Sequence, residues 1–252
     1  MRGTDLIAHR GASHDAPENT LAAFRLAWEQ GADGIEGDFR LSRDGEIVCL
    51  HDATTSRTAK IDLVVADATI AELRTLDVGR WKGTDWAGER IPTLREVLAT
   101  VPPGKKLFIE LKSGPEILLP LAAVLAESGL KPEQAAIFAF DEELIAASRE
   151  LFPRNKRLWI TDYKRDWLGG SWKPSTGEIL RTLERTGVDG LASKAHRAVD
   201  AAFVQALRAA GMELHVWTVD APRSAARFLA LGVDSIITNR PDWLRSRLQP
   251  EG

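Results

Sequence analysis

"GADGIEGDF" (residues 31–39) carries two signals in nine residues. Its first half reads Gly, apolar, Asp, small, apolar, and it follows a stretch in which Leu21, Phe24 and Trp28 recur at helical spacing. A Gly in that place fits a left-handed helix stop, and the apolar residue after the Asp opens a strand. The same joint returns as "GVDGL" (187–191) and "GVDSI" (232–236), and further helices run into Gly129 and Gly211. One helix-to-strand joint used three times implies a repeated unit.

Working outward, short β-branched and aliphatic runs alternate with amphipathic stretches. Strands are expected at 6–9, 34–39, 107–112, 135–140, 157–160, 190–193, 213–219 and 235–238. Helices are expected at 20–30, 116–128, 142–151, 176–186, 201–210 and 224–231. Alternation of this kind implies a parallel sheet. Eight units in 252 residues match a (β/α)8 TIM barrel. The alternative, a doubly wound open sheet, usually carries a glycine-rich phosphate loop after its first strand. "RGASHDAPENT" (10–20) has none. From 40 to 93 the rhythm breaks. There "LSRDGEIVCLHD" reads as a turn at Asp44-Gly45 and a short strand, inside a small elaborated loop after strand two. No Pro/Ser-rich linker divides the chain, so 1–252 is expected to be one domain.

Composition narrows the partners. A net charge of −3 with scattered Lys and Arg gives no field for nucleic acid or an anionic membrane. The lone cysteine, Cys49, excludes an internal disulfide, argues against a Cys-based zinc site, and lies in an apolar run that reads as buried. No run approaches ~18 apolar residues, so stable membrane insertion is not expected. No signal peptide is visible, and cytoplasmic residence is the expectation. The oligomeric state is left open.

The second signal in the opening stretch is charge inside a strand. Glu36 and Asp38 are two apart and share a face, toward the barrel mouth if Ile35 and Phe39 face the helices. Glu110 and Lys112 share a face on the next barrel strand, above Phe108, and His9-Arg10 ends the first. His215 and Trp217 share a face near the end of the seventh. Charged residues at the carboxyl ends of barrel strands mark a site. Three carboxylates on one inward face repel and lose hydration, which a cation relieves. An all-oxygen ligand set suits one hard divalent ion, Mg2+ or Ca2+. The alternative is a structural ion network, with Arg10 and Lys112 neutralising the acids. His9 and His51 can share general acid–base work near neutral pH. Arg10 and Lys112 then meet an anion, and the whole set suggests phosphodiester chemistry, with a sugar or carboxylate substrate still open. His14, His196 and His215 read as structural or solvent-facing. The run "RNKR" (154–157) reads as a solvated helix end. Trp167 and Trp172, around a Gly-Gly pair, read as a surface loop or a lid.

These residues resemble the glycerophosphodiester phosphodiesterase family, of the compact bacterial kind. The likeness runs through "HRG" and "PENT", the Gly-Ala-Asp, Glu-x-Asp, Asp-Gly and His-Asp elements of 9–52, then "IPTLREVL" (91–98), "IELK" (109–112), "VWTVD" (216–220) and "GVDSIITNRP" (232–241). It implies a TIM barrel that hydrolyses a glycerophosphodiester to glycerol 3-phosphate and an alcohol. It implies Glu36, Asp38 and Glu110 as metal ligands and His9 and His51 as the catalytic pair. Arg10 and Lys112 match phosphate contacts, and Trp217 matches an aromatic lining the glycerol side. Ala139 stands where the family often has Ser, which implies one polar contact fewer. Within "PENT", Asn19 is expected to cap the first helix. Two other functions compete. A lysophospholipase D-like or cyclic-phosphate-forming enzyme predicts an apolar rim. A non-catalytic binding protein predicts loss of a His or a carboxylate, and all five are present.

Overall fold

The αβ joints decide how the sheet closes. In the computed structural model, which describes residues 3–165, 170 and 172–248, Gly31, Gly187 and Gly232 all take positive φ, at 75°, 62° and 70°. Each joint's Asp then does the same job. Asp33 accepts from the Leu6 backbone N–H at 3.0 Å and donates its own N–H to Leu6 at 2.8 Å. Asp189 does this with Arg157 at 2.9 and 2.8 Å, and Asp234 with Leu214 at 2.7 and 2.8 Å. Each Asp ties its strand to the one before it, at the end where strands begin.

The barrel strands are β1 (Asp5–His9), β2 (Gly34–Leu41), β4 (Lys106–Leu111), β5 (Ala135–Ala139), β6 (Lys156–Thr161), β9 (Gly190–Lys194), β10 (Glu213–Trp217) and β11 (Ser235–Thr238). All neighbours are parallel, and β1 pairs with both β2 and β11, which closes the ring. The expected (β/α)8 TIM barrel is the fold found. Helices α1 (Leu21–Glu29), α5 (Leu118–Glu127), α6 (Glu142–Leu151), α7 (Thr176–Thr186), α8 (Ala201–Ala209) and α9 (Pro222–Leu231) surround it, and α10 (Pro241–Leu248) follows the last strand. Two further strands of two residues, β7 (Lys164–Arg165) and β8 (Trp172–Lys173), pair antiparallel. Trp167 lies outside the described residues, and Trp172 packs on His196 with ring centroids 4.4 Å apart. Among the described residues no helix is long and apolar enough to cross a membrane.

Strand periodicity sorts the core into two layers. Ile35, Phe39, Leu107, Ile109 and Ile137 face outward onto the helices. Ile7, Phe108, Ala136, Phe138, Leu158, Ile160, Ala192 and Ile237 fill the barrel. Ala139 belongs to the outer layer, so the Ser it replaces would not have faced the interior. The excursion after β2 is more than a loop. The strand β3 (Ile47–Cys49) folds back antiparallel on β2. Short helices α2 (Ser56–Ala59), α3 (Ile70–Leu73) and α4 (Leu94–Leu98) follow. Val48, Leu50, Val65, Leu73, Val78 and Ile91 form their own small core there.

Two expectations are corrected. Thr20, not Asn19, caps α1, accepting from the Ala23 N–H at 3.2 Å. Arg157 is not at a solvated helix end: it lies in β6, is buried, and donates to the Gly187 carbonyl at 2.8 Å.

Candidate active site

The mouth is built by strand ends that carry charge outward from the apolar interior. His9 ends β1, and the chain turns at once through Arg10 (φ 57°) and Gly11 (φ 78°). A Cβ on Gly11 would sit 2.6 Å from the Ala23 backbone, so only Gly lets α1 pack against this turn. The turn aims the Arg10 backbone N–H at Glu36 Oε2, 2.8 Å away. It also sends the Arg10 guanidinium to Asp38 at 3.1 Å and Glu18 at 2.9 Å.

Glu36, Asp38 and Glu110 each offer an oxygen, and the three lie within 4.8 Å of one another. All three side chains are buried. Lys112, just beyond β4, reaches Asp38 Oδ1 at 3.3 Å and contacts Glu110 Oε1. The ion network foreseen as an alternative is therefore present, but it is incomplete. Two cations face three carboxylates. Among the described residues Glu36 Oε1 has no hydrogen-bond donor, and the nearest basic side chain is His9, at 3.9 Å from Oε2. Burial, then the Asp38 and Glu110 charges, push the Glu36 carboxyl well above the ordinary carboxylate range. Burial and then Asp38 push Glu110 up to about 7. Asp38 goes the other way: burial alone would raise it, but Arg10 and then Lys112 hold it down. A buried oxygen without a donor, in an oxygen-only set one charge short of balance, fits a hard divalent cation.

The two imidazoles are each anchored by Nδ1. His9 meets Asn239 Oδ1 at 2.7 Å. The amide orientation follows from Asp220, whose carboxylate can only accept and takes the Asn239 Nδ2–H at 2.7 Å. The amide oxygen must then face His9, so Nδ1 carries the proton and Nε2 is a free lone pair. Burial, and secondarily Arg10, shift His9 toward its neutral form. His51 meets Asp52 Oδ1 at 2.7 Å, and Arg40 pins the His51 carbonyl at 2.7 and 3.1 Å. A carboxylate thus stands behind His51 and a neutral amide behind His9.

A cavity of about 230 Å³ joins these groups. His9, Arg10, Glu36, His51, Glu110, Lys112 and Trp217 all line it, and Asp38 is buried beneath. The eight residues picked from the sequence are therefore together. Phe140 is an addition: its ring stands edge-on to Trp217 at 5.7 Å and lies 5.6 Å from the Lys112 ammonium. Asn19, Glu18, Arg57 and Asn239 are supporting residues that sequence reasoning missed. Asn19, at φ 58°, clamps Asp38 through two hydrogen bonds, donating to Oδ2 at 2.9 Å and accepting from its N–H at 3.2 Å. "PENT" and "TNRP" held this signal, but only as motif letters. Of the other histidines, His14 is exposed beside Asp15, His196 stacks on Tyr163, and His215 is buried at the far end of the barrel.

A mouth that is rich in carboxylates and cationic at once suits a phosphate ester, and the chain is a barrel-type phosphoric diester hydrolase. It belongs to the glycerophosphoryl diester phosphodiesterase family, whose profile matches residues 9–243. It is 34% identical over 258 residues to a glycerophosphodiester phosphodiesterase of Caldanaerobacter subterraneus, covering 99% of both chains. A phosphodiesterase of Oleispira antarctica, solved with its product sn-glycerol-3-phosphate, superposes with a TM-score of 0.86 at 29% identity, over 97% of this chain and 96% of that one. A glycerophosphodiester phosphodiesterase of Thermotoga maritima gives a TM-score of 0.76 at 30% identity, over 99% and 100%.

Proposed function

We propose that this mouth hydrolyses glycerophosphodiesters to glycerol 3-phosphate and an alcohol, with His9 as general base and His51 as general acid. The observation that carries the division of labour is what stands behind each ring. The neutral amide of Asn239 leaves His9 Nε2 free to accept a proton from the attacking hydroxyl. The Asp52 carboxylate supports the ring that gives a proton to the leaving alkoxide. Arg10 and Lys112 bind the phosphate oxygens, and Trp217 with Phe140 walls the organic part of the substrate. Glu36, Asp38 and Glu110 would hold one divalent cation, Mg2+ or Ca2+. When bound it supplies Lewis-acid stabilisation of negative charge on the phosphate. With it, the charge of the mouth turns from negative to positive by one, which a phosphodiester monoanion then balances.

A comparison of leaving groups tests the assignment. Choline leaves glycerophosphocholine as a poor alkoxide, whereas p-nitrophenolate leaves the p-nitrophenyl ester of glycerol phosphate without proton help. His51→Ala should lose about 10²–10⁴-fold on the first and far less on the second, and His9→Ala should lose that much on both. Equal losses for His51→Ala on the two substrates would reverse or remove its role. A second reading, turnover of lysolipids, has one observation in its favour: Phe140 is 45% exposed beside Trp217 and offers an apolar rim.

A further inference from the structure

A second cavity, of about 420 Å³, lies at the opposite end of the barrel. Its mouth is made by the first residues of three strands, Lys106, Lys156 and Glu213, with Lys131 and Glu133 from the turn before β5. Its depth is made by Phe108, Ala136, Leu158 and His215. The barrel leaves space here because β5 contributes only Ala136 to the lower layer. Phe108 stands edge-on to Phe138, centroids 6.0 Å apart, and Phe138 with Ile160 lines the upper cavity. The two cavities thus back onto one apolar layer and do not join.

His215 is the polar group at depth. It is 6% exposed, its Nδ1 meets Ser235 Oγ at 2.8 Å, and its Nε2 has no hydrogen-bond partner among the described residues. The nearest carboxylate among the described residues is Glu213, whose Oε2 is 3.5 Å from Nε2, beyond a well-made hydrogen bond, while its Oε1 pairs with Lys156 at 2.8 Å. Leaving such a group unpaired in a ligand costs affinity, so an occupant should bring a hydrogen-bonding group to it. Around it the walls are carbon, which asks for an apolar body. At the rim, Lys106 already pairs with Asp5 and Lys156 with Glu213. Lys131 has no carboxylate within 4.0 Å among the described residues and is exposed. Glu133, on the same rim, opposes a multiply charged anion and favours a single carboxylate.

We propose that this lower cavity is a second ligand site, for a small organic carboxylate with an apolar body and a distal hydroxyl, its carboxylate on Lys131 and its hydroxyl on His215. The ligand hydroxyl supplies the partner that the protein does not give Nε2. The site is independent of the phosphodiester chemistry, because the layer of Phe108 and Phe138 separates the two ends.

The probe is 4-hydroxybenzoate, titrated by ligand-observed and protein-observed NMR against benzoate, which lacks the hydroxyl, and phenol, which lacks the carboxylate. Binding of 4-hydroxybenzoate should be about tenfold tighter than that of either fragment, the worth of one well-made polar contact. Lys131→Glu, at an exposed position that folding does not depend on, should weaken it about tenfold or more. His215→Leu should bring 4-hydroxybenzoate down to the affinity of benzoate. Glu36→Gln, in the upper cavity, should leave binding unchanged. The proposal is overturned if no probe binds at up to ~10 mM. It is equally overturned if Lys131→Glu binds as wild type does, or if Glu36→Gln is the variant that loses binding.

Discussion

Arg57 grips the Glu18 carboxylate with both terminal nitrogens, at 2.9 and 2.7 Å, and turns its Nε to Asp52 at 2.5 Å. One guanidinium therefore braces both halves of the mouth. Through Asp52 it holds the ring of His51, and through Glu18 it holds Arg10, which pairs with Asp38. Arg57 lies in the excursion after β2, which gives that excursion a task beyond covering the barrel.

Replacing this brace should cost turnover more than stability. For Arg57→Ala we expect kcat to fall about 10–100-fold, the range seen when a group orienting a reactive residue is lost. Arg57→Lys should recover little of this, since an ammonium cannot make the two-pronged contact with Glu18 and reach Asp52 as well. The melting temperature should move by no more than a few degrees, because the side chain is 43% exposed. Steady-state kinetics beside a thermal melt decide the matter. A large loss of stability with unchanged kcat would make Arg57 a purely structural residue.

The acidic cluster should oppose stability in the metal-free protein. Glu36 is fully buried beside two other carboxylates, and its raised carboxyl pKa records that strain. Glu36→Gln keeps the acceptor for the Arg10 N–H and removes the charge. Its metal-free melting temperature should therefore rise, while activity falls by at least about 10²-fold, the usual exchange of stability for function at a site. Calorimetry in EDTA and a product assay with added cation measure the two sides. A lower metal-free melting temperature would mean that the cluster does not store repulsion.

Cation binding should follow pH through Glu110. With its carboxyl pushed up to about 7 by burial and Asp38, this group keeps its proton below that pH, and a cation must displace it. The sign is that acid weakens binding. Between pH 8 and pH 6 the apparent Kd should rise at least about tenfold, and Glu110→Gln should reduce the dependence to the part carried by Glu36 while weakening binding overall. Titration calorimetry with Mg2+ and with Ca2+ at both pH values gives the answer for each ion.

The barrel was readable because its signals are local and periodic. A joint of five residues, seen three times, sets the helix stop and the strand start. A two-residue period puts Glu36 with Asp38, and Glu110 with Lys112, on one face before any contact is known. What could not be read depends on distant contacts or on a single backbone angle. Asn19 and Thr20 are both good caps on paper. The left-handed turn at Asn19 gives the cap to Thr20 and hands Asn19 to Asp38. Arg57 and Glu18 are 39 residues apart, and His9 and Asn239 are 230 apart. Phe140 lies one residue beyond β5, where the strand's alternation no longer predicts direction.

The same joints should carry stability without touching chemistry. Asp234 binds the Leu214 N–H at 2.7 Å at the end of the barrel away from the mouth. Asp234→Ala removes one charge-assisted bond at an exposed position, which should cost about 1 kcal/mol. For a chain of this size that is a fall of about 2–4 °C in melting temperature. Activity at 25 °C should be unchanged. A loss of kcat instead would tie the lower end of the barrel to the mouth.

Cys49 turns the mouth into something that can be timed. Its thiol is 1% exposed, and its Sγ lies 3.2 Å from Asn19 Oδ1, the side chain that clamps Asp38. Because the chain has a single cysteine, a thiol-specific dye has one place to react, and it can react only when the clamp opens. The labelling rate is thus a stopwatch for breathing at the acidic cluster, readable without substrate, with and without cation.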